Sequence, residues 1–258
     1  MRSIYKDMST LHAFGCSFTL SHHEYIRSGE DRSPVPEQYR YLQRLGYIPD
    51  VWSEALSKKI GFTISNHGKG GSSNQAIFER VCKNSPNFNK GDLVIVQWSN
   101  VGRFRWADPN MEGPIDGWHN VLPGQPDLNT PGAEKMTLHE ILINRDSDLY
   151  VAEVHRWTQL LYELSLAKGF ELYIWSIDNR VAMAPEWLPT SIFLGWDLYS
   201  NLVWNREWPK WLSNKGYTTV RTATSGEIPD DHPSEEGHAA LAEIFHKHLL
   251  KYSKLMGA

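Results

Sequence analysis

The sequence predicts an α/β fold built on a mostly parallel sheet. Two observations carry this: short apolar runs alternate with segments of helical period through the first half of the chain, and one run, Leu93 to Val96, is continuously apolar, as in a strand buried on both faces. At 258 residues the chain has a length that α/β folds often keep as one domain. A single domain over 1–258 is therefore expected, with insertions at about 101–148 and 182–212.

The elements follow in order. Leu11 to Phe14 reads as the first strand. In PDVWSEALSKKIG, Val51, Leu56 and Ile60 recur near helical spacing, and Gly61 stands where a helix C-cap glycine belongs. FTISN, Phe62 to Asn66, reads as a second strand. After a glycine-rich turn, NQAIFERVCK sets Ile77 and Val81 four apart on a helix. GDLVIVQW then supplies the third and clearest strand.

From about Val101 to Asp148 the rhythm breaks into Pro, Gly, Asn and Asp with short periodic pieces such as MTLHEILI; a connection this long is usually functional rather than a mere link. A helix from about Leu149 to Lys168, with Val154, Leu160, Leu161 and Leu164 apolar, leads into the strand FELYIWSI, Phe170 to Ile177. A second irregular, Trp-rich stretch covers Ala182 to Leu212. A short strand near Thr218 to Val220, a loop and a final helix with Leu241, Ile244, Phe245 and Leu249 on one stripe complete the reading.

Composition excludes several classes. With 41% hydrophobic and 22% charged residues the chain is an ordinary globular protein. A net charge of −4 without a Lys/Arg cluster offers no footprint for nucleic acid. No apolar run approaches the roughly 20 residues that cross a bilayer, and the opening MRSIYKDMST lacks the apolar region of a secretory signal. The expected location is cytoplasmic, or exported or virion-associated by a route the sequence does not spell out. Cys16 and Cys82 are the only cysteines, so neither a disulfide framework nor a CxxC zinc site is available. Many of the 11 tryptophans lie between Trp98 and Trp211 off any helical period, which suits either an aromatic surface for sugars and apolar ligands or an aromatic mini-core beneath long loops.

Four polar motifs fall at or soon after strand ends: GCSFT, GKGGSSN, WSN and DDHPSEEGH. In an open α/β sheet ligands bind outside the carboxyl ends of the strands, so these motifs are expected to converge. A serine becomes a nucleophile only with a base, a group that orients the base, and donors for the developing oxyanion. Ser17 is the candidate nucleophile and His232 the candidate base, held extended by Pro233, with Ser234 able to cap the last helix. In an extended segment residues two apart share a face, so Asp230 is better placed than Asp231 to orient His232. The plainer reading of DDHPSEE is an acidic helix N-terminus.

NHGKGGSSN has neither GxGxxG in register nor GKS or GKT, so it is no phosphate loop. Gly71 can instead bring a bare N–H to a ligand, and Asn100 can present its NH2 to the same point. Asp230, Asp231, His232 and His238, with His22 and His23, match no strong metal template. His22 and His23 read as loop surface and Cys16 as a small buried residue, so no metal and no cofactor is expected.

In their order FGCSFT, N-x-x-x-x-G-S-S-N, VIVQWSN and D-x-H-P-S-x-x-G-H, these blocks resemble the SGNH hydrolases, or GDSL esterase/lipase family, across nearly the whole chain. The resemblance implies a three-layer α/β/α flavodoxin-like sandwich and a serine esterase with an acyl-serine intermediate. It implies Ser17 as nucleophile and oxyanion donor, Gly71 and Asn100 as further donors, and His232 as base with the acid just before it. Three departures stand out: Cys16 replaces the usual aspartate of GDS, WSN-Val101 replaces G-x-N-D, and Pro229 stands three before His232, where the family most often has aspartate. Trp98, Arg103 and Trp106 are candidates to face the substrate. The expected partner is a small-molecule or glycan ester, with carbohydrate O-acetyl esters favoured over lipid, thioester or general short-chain substrates; a non-catalytic glycan-binding or surface-assembly role is the rival. Oligomeric state is left open.

Overall fold

The computed structural model describes residues 9–23, 45–107, 118–121, 147–195, 212–216, 218–223 and 226–256, with the side chains of 104–107, 118–121, 147 and 218–231 outside the description. Its centre is a parallel sheet of four strands in the order β2-β1-β3-β6: β1 (Thr10–Gly15), β2 (Thr63–Gly68), β3 (Leu93–Trp98) and β6 (Glu171–Ser176). β1 is hydrogen-bonded on both sides, setting Phe14 level with His67 on β2 and with Val96 on β3. A bridge from Ile174 to Phe193 continues the parallel pairing past β6.

The helices are α1 (Trp52–Ile60), α2 (Asn74–Asn84), α3 (Ser147–Lys168) and α4 (Glu235–Tyr252). They cover the sheet on both faces, and strand alternation decides which residue goes where. Leu11, Ala13, Leu93, Ile95, Tyr173 and Trp175 pack against Trp52 and Leu56 of α1 and Leu241, Phe245 and Leu249 of α4. Phe14, Val94, Val96, Leu172 and Ile174 turn to the other side, against Ile77 and Val81 of α2 and Val154 and Leu161 of α3. The α/β/α layering is thus written in the pleat. On the first face the rings of Trp52, Trp175 and Phe245 meet pairwise at 5.4 to 5.7 Å between centroids, Trp52 lying edge-on to the other two.

Local signals in the sequence account for the ends. Gly61 takes the left-handed conformation (φ 72°) that stops α1, and Ser234 Oγ accepts the Gly237 N–H to start α4. On α3, Leu160 is 59% exposed: it lies six residues beyond buried Val154, about 120° round the helix from it.

Two expectations are corrected. The stretch after β3 contains a two-stranded antiparallel ribbon, β4 (Phe104–Ala107) with β5 (Trp118–Val121). His232 lies not on a loop but in β8 (Gly226–Pro233), which pairs antiparallel with β7 (Thr218–Ala223) as a hairpin separate from the parallel sheet. MTLHEILI lies outside the described residues, as does most of the second Trp-rich stretch after Gly195. Among the described residues no helix is long and apolar enough to cross a membrane.

Phe245→Ala, which empties the centre of the aromatic group, is expected to cost about 3–5 kcal/mol of stability, read by chemical denaturation.

Candidate functional site

The four strands run in one direction, so the segments after β1, β2 and β3 leave from the same edge. Ser17 is in the turn after β1, Gly71 in the turn after β2 and Asn100 in the turn after β3. His232 comes from far along the chain to meet the first of them: its Nε2 is 2.6 Å from Ser17 Oγ. This is the distance a serine hydroxyl needs to donate to an imidazole. The ring packs on Phe18, buried, at 4.8 Å between centroids.

The turn holding Ser17 is bound from three directions. The Cys16 carbonyl accepts from Thr19 and Leu20 N–H at 3.0 and 3.1 Å. The Gly15 carbonyl accepts from Lys69 N–H at 3.1 Å and from Arg80 at 2.9 Å, tying the turn to the one after β2. From β3, Gln97 Oε1 accepts from Cys16 N–H at 2.9 Å, from the Cys16 thiol at 3.2 Å and from the Thr19 hydroxyl at 3.2 Å. Asn66 closes the far side, donating to the Thr19 carbonyl at 2.7 Å and to Ser53 Oγ at 2.9 Å. The Ser17 N–H is left without an acceptor among the described residues.

Gly71 adopts φ +71°, and a Cβ there would meet nothing within 4 Å, so this backbone faces open space with its N–H unpaired among the described residues. Asn100 is exposed; its Oδ1 accepts the Gly102 N–H at 2.7 Å, which leaves the NH2 as the group it can offer a ligand. Its neighbours are fixed. Asn74, at the start of α2, exchanges two hydrogen bonds with the Ser99 backbone at 2.6 and 3.1 Å, and Asp178 accepts the Val101 N–H at 3.2 Å.

Sequence reasoning missed Gln97, Asn74 and Arg80. Buried amides and a guanidinium next to motif residues were the signal available, but their partners are distant in sequence. Trp98 is a correction: it is fully buried and its indole N–H donates to Thr158 Oγ1 at 3.0 Å, so it belongs to the core beneath α3 and does not face a substrate. Arg103 is half-buried on the turn that begins at Asn100, whose carbonyl accepts its N–H at 3.1 Å. Trp106 is in β4, and the side chains of Trp106, Asp230 and Asp231 lie outside the described residues.

His22 is buried, not surface as expected. Its Nδ1–H donates to the Pro49 carbonyl at 3.3 Å, and its ring meets His238 edge-on at 5.7 Å. His238 Nδ1 accepts the Trp52 N–H at 3.2 Å. Burial lowers His22 to about 4 and takes His238 well below the usual histidine value. Both rings are therefore neutral around His232 at neutral pH. Three possible metal ligands that approach one another are His23, Asp50 and Glu54, but Lys58 pairs with Asp50, while Ser21 and the Val51 N–H occupy the Glu54 carboxylate.

No protein-family model and no curated protein sequence matches the chain. In structure it is similar to a protein from Desulfitobacterium hafniense DCB-2 described as lipolytic and of the G-D-S-L family, at 10% identity and a TM-score of 0.40, over 93% of this chain and 99% of that one. It is also similar to a member of the lipolytic G-D-S-L family from Veillonella parvula DSM 2008, at 14% identity and a TM-score of 0.36, over 95% and 98%. A carbohydrate esterase family 2 enzyme with a carbohydrate-binding domain, from Corynascus thermopiles (Myceliophthora fergusii), matches at 12% identity and a TM-score of 0.40, over 95% of this chain and 66% of that one. At such scores none of them carries a residue's role across.

The neutral histidines give a pH prediction. Each binds a proton in the unfolded chain near pH 6.5, whereas in the folded chain His22 does so only near pH 4 and His238 only well below its usual value, so on acidification from pH 6.5 the unfolded state holds more protons. Stability is full above pH 6.5 and falls on acidification, by up to about 1.4 kcal/mol per pH unit for each histidine. Denaturation from pH 7 to 5 should show this slope, and His22→Asn should lessen it.

Proposed function

We propose that the chain is a serine esterase of the SGNH type. The observation that carries the reading is the 2.6 Å contact between Ser17 Oγ and His232 Nε2, made at the carboxyl edge of a parallel sheet with the unpaired Ser17 N–H beside it. His232 takes the Ser17 proton as Oγ attacks the ester carbonyl carbon. The oxyanion is held by the Ser17 N–H, the Gly71 N–H and the Asn100 NH2. As the tetrahedral species collapses, the carbon–alkoxide bond breaks and His232 gives its proton to the leaving alcohol. Water then attacks the acyl-serine by the same steps, releasing the carboxylic acid and restoring Ser17. Asp230, two residues before His232, orients the imidazole; Asp231 is the alternative. No metal or organic cofactor enters these steps.

For the substrate we infer an O-acetylated carbohydrate. The support is the aromatic character of the long segments flanking the strand ends, where Trp187 is 61% exposed. Flat amphipathic rings suit the faces of sugars. Acetate release from acetylated polysaccharide should exceed hydrolysis of longer acyl esters, and a clear preference for long chains would replace the glycan with a lipid or thioester.

Wild type is expected to be labelled by an active-site fluorophosphonate and Ser17→Ala is not; equal labelling, or none in wild type, overturns the assignment. Asn100→Ala should lower kcat by about 10²- to 10³-fold, the usual loss for one oxyanion donor, in a steady-state assay with a small acetyl ester.

A further inference from the structure

Position 16, where SGNH sequences usually have aspartate, is cysteine here, and the structure offers a reason. The Cys16 side chain does not face the site. It is fully buried and points its thiol at Gln97 Oε1, which also receives the Cys16 N–H and the Thr19 hydroxyl. The amide cannot turn over to supply a donor instead, because its NH2 is committed to the Trp98 carbonyl at 2.8 Å. Gln97 is itself fully buried, so position 16 meets a fixed acceptor in a dry place. An aspartate carboxylate there would set acceptor against acceptor with no water to intervene.

Gln97 is also three residues before Asn100 on the same strand and its exit. The backbone in between is locked by the Asn74 pair on Ser99. One amide thus sets the distance between the nucleophile turn and the turn that offers the Asn100 NH2.

We infer that Gln97 is a positioning residue: as a fixed acceptor for residues 16 and 19 it holds Ser17 in register with Asn100, and it requires a hydrogen-bond donor at position 16. This rests on the esterase reading above. Misplacing a nucleophile by about 1 Å costs up to about 100-fold without weakening ground-state binding, so the loss appears in kcat and not in KM.

The test compares the isosteric pair Cys16→Asn and Cys16→Asp on a small acetyl ester, with fluorophosphonate titration giving the rate per active site. The asparagine NH2 can donate to Gln97 and should keep most of kcat. The aspartate, although it restores the usual family motif, should lose about tenfold or more in kcat at unchanged KM. Equal rates per titrated site for the two variants would overturn the inference. If Cys16→Asp does not fold, Cys16→Ser and Cys16→Ala decide: the serine keeps a donor for Gln97 and should retain more kcat per site than the alanine, and equal values overturn it. Absence of phosphonylation in wild type would instead bring down the esterase reading and this inference with it.

Discussion

The pairing of β1 on both of its edges is the constraint from which the rest follows. A strand between two parallel neighbours must be apolar on both faces and must be covered twice, and the chain meets this with α1 and α4 on one side and α2 and α3 on the other. Parallel pairing also sends the exits of β1, β2 and β3 to the same edge. Ser17, Gly71 and Asn100 come from segments scattered over more than 80 residues, and they follow strands that end at one edge because three strands share a direction.

That edge is held by polar side chains that are almost entirely buried. Asn66, Asn74, Gln97 and Asp178 each receive or give hydrogen bonds to the backbone of a turn from another element. An amide removed from water is costly unless paired, so such groups tolerate few alternative arrangements of the turns around them. The apolar core fixes where the layers are; the buried amides fix the loop geometry between them. Glycine is needed at one junction for a different reason: a Cβ on Gly15 would run into Thr19 Oγ1 and Gln97 Oε1.

Much of this was legible in the sequence because it rests on periodicity or on residues with one strong local preference. The continuous Leu93–Val96 run, Gly61 after α1 and Ser234 before α4 each report their own surroundings, and Ser17 and His232 stood out through motifs in order along the chain. What could not be read depends on partners far away in sequence. Trp98 beside a site motif looked like a ligand-facing ring, but the helix that buries it begins about 50 residues later. The β7–β8 hairpin hid for another reason: GEIPDDHP carries two prolines and two aspartates, poor strand formers that an edge ribbon tolerates where a central strand would not.

The segment from Ser99 to Gly102 shows how the fold and the proposed chemistry connect. An asparagine after a strand is ordinarily free to rotate, and an oxyanion donor that must be oriented during the reaction gives back in reorganisation much of what it contributes. Here Ser99 is gripped by Asn74, Val101 by Asp178, and Asn100's own Oδ1 by the Gly102 N–H, so three contacts reduce the side chain to one free group, its NH2. The ordering cost is met when the protein folds. Asn74 also starts the helix that follows Gly71, so a single side chain ties the β2 exit to the β3 exit just as Gln97 ties β3 to the turn of Ser17. Two amides therefore link the three segments into one rigid edge, against which the hairpin needs to place only one ring, that of His232.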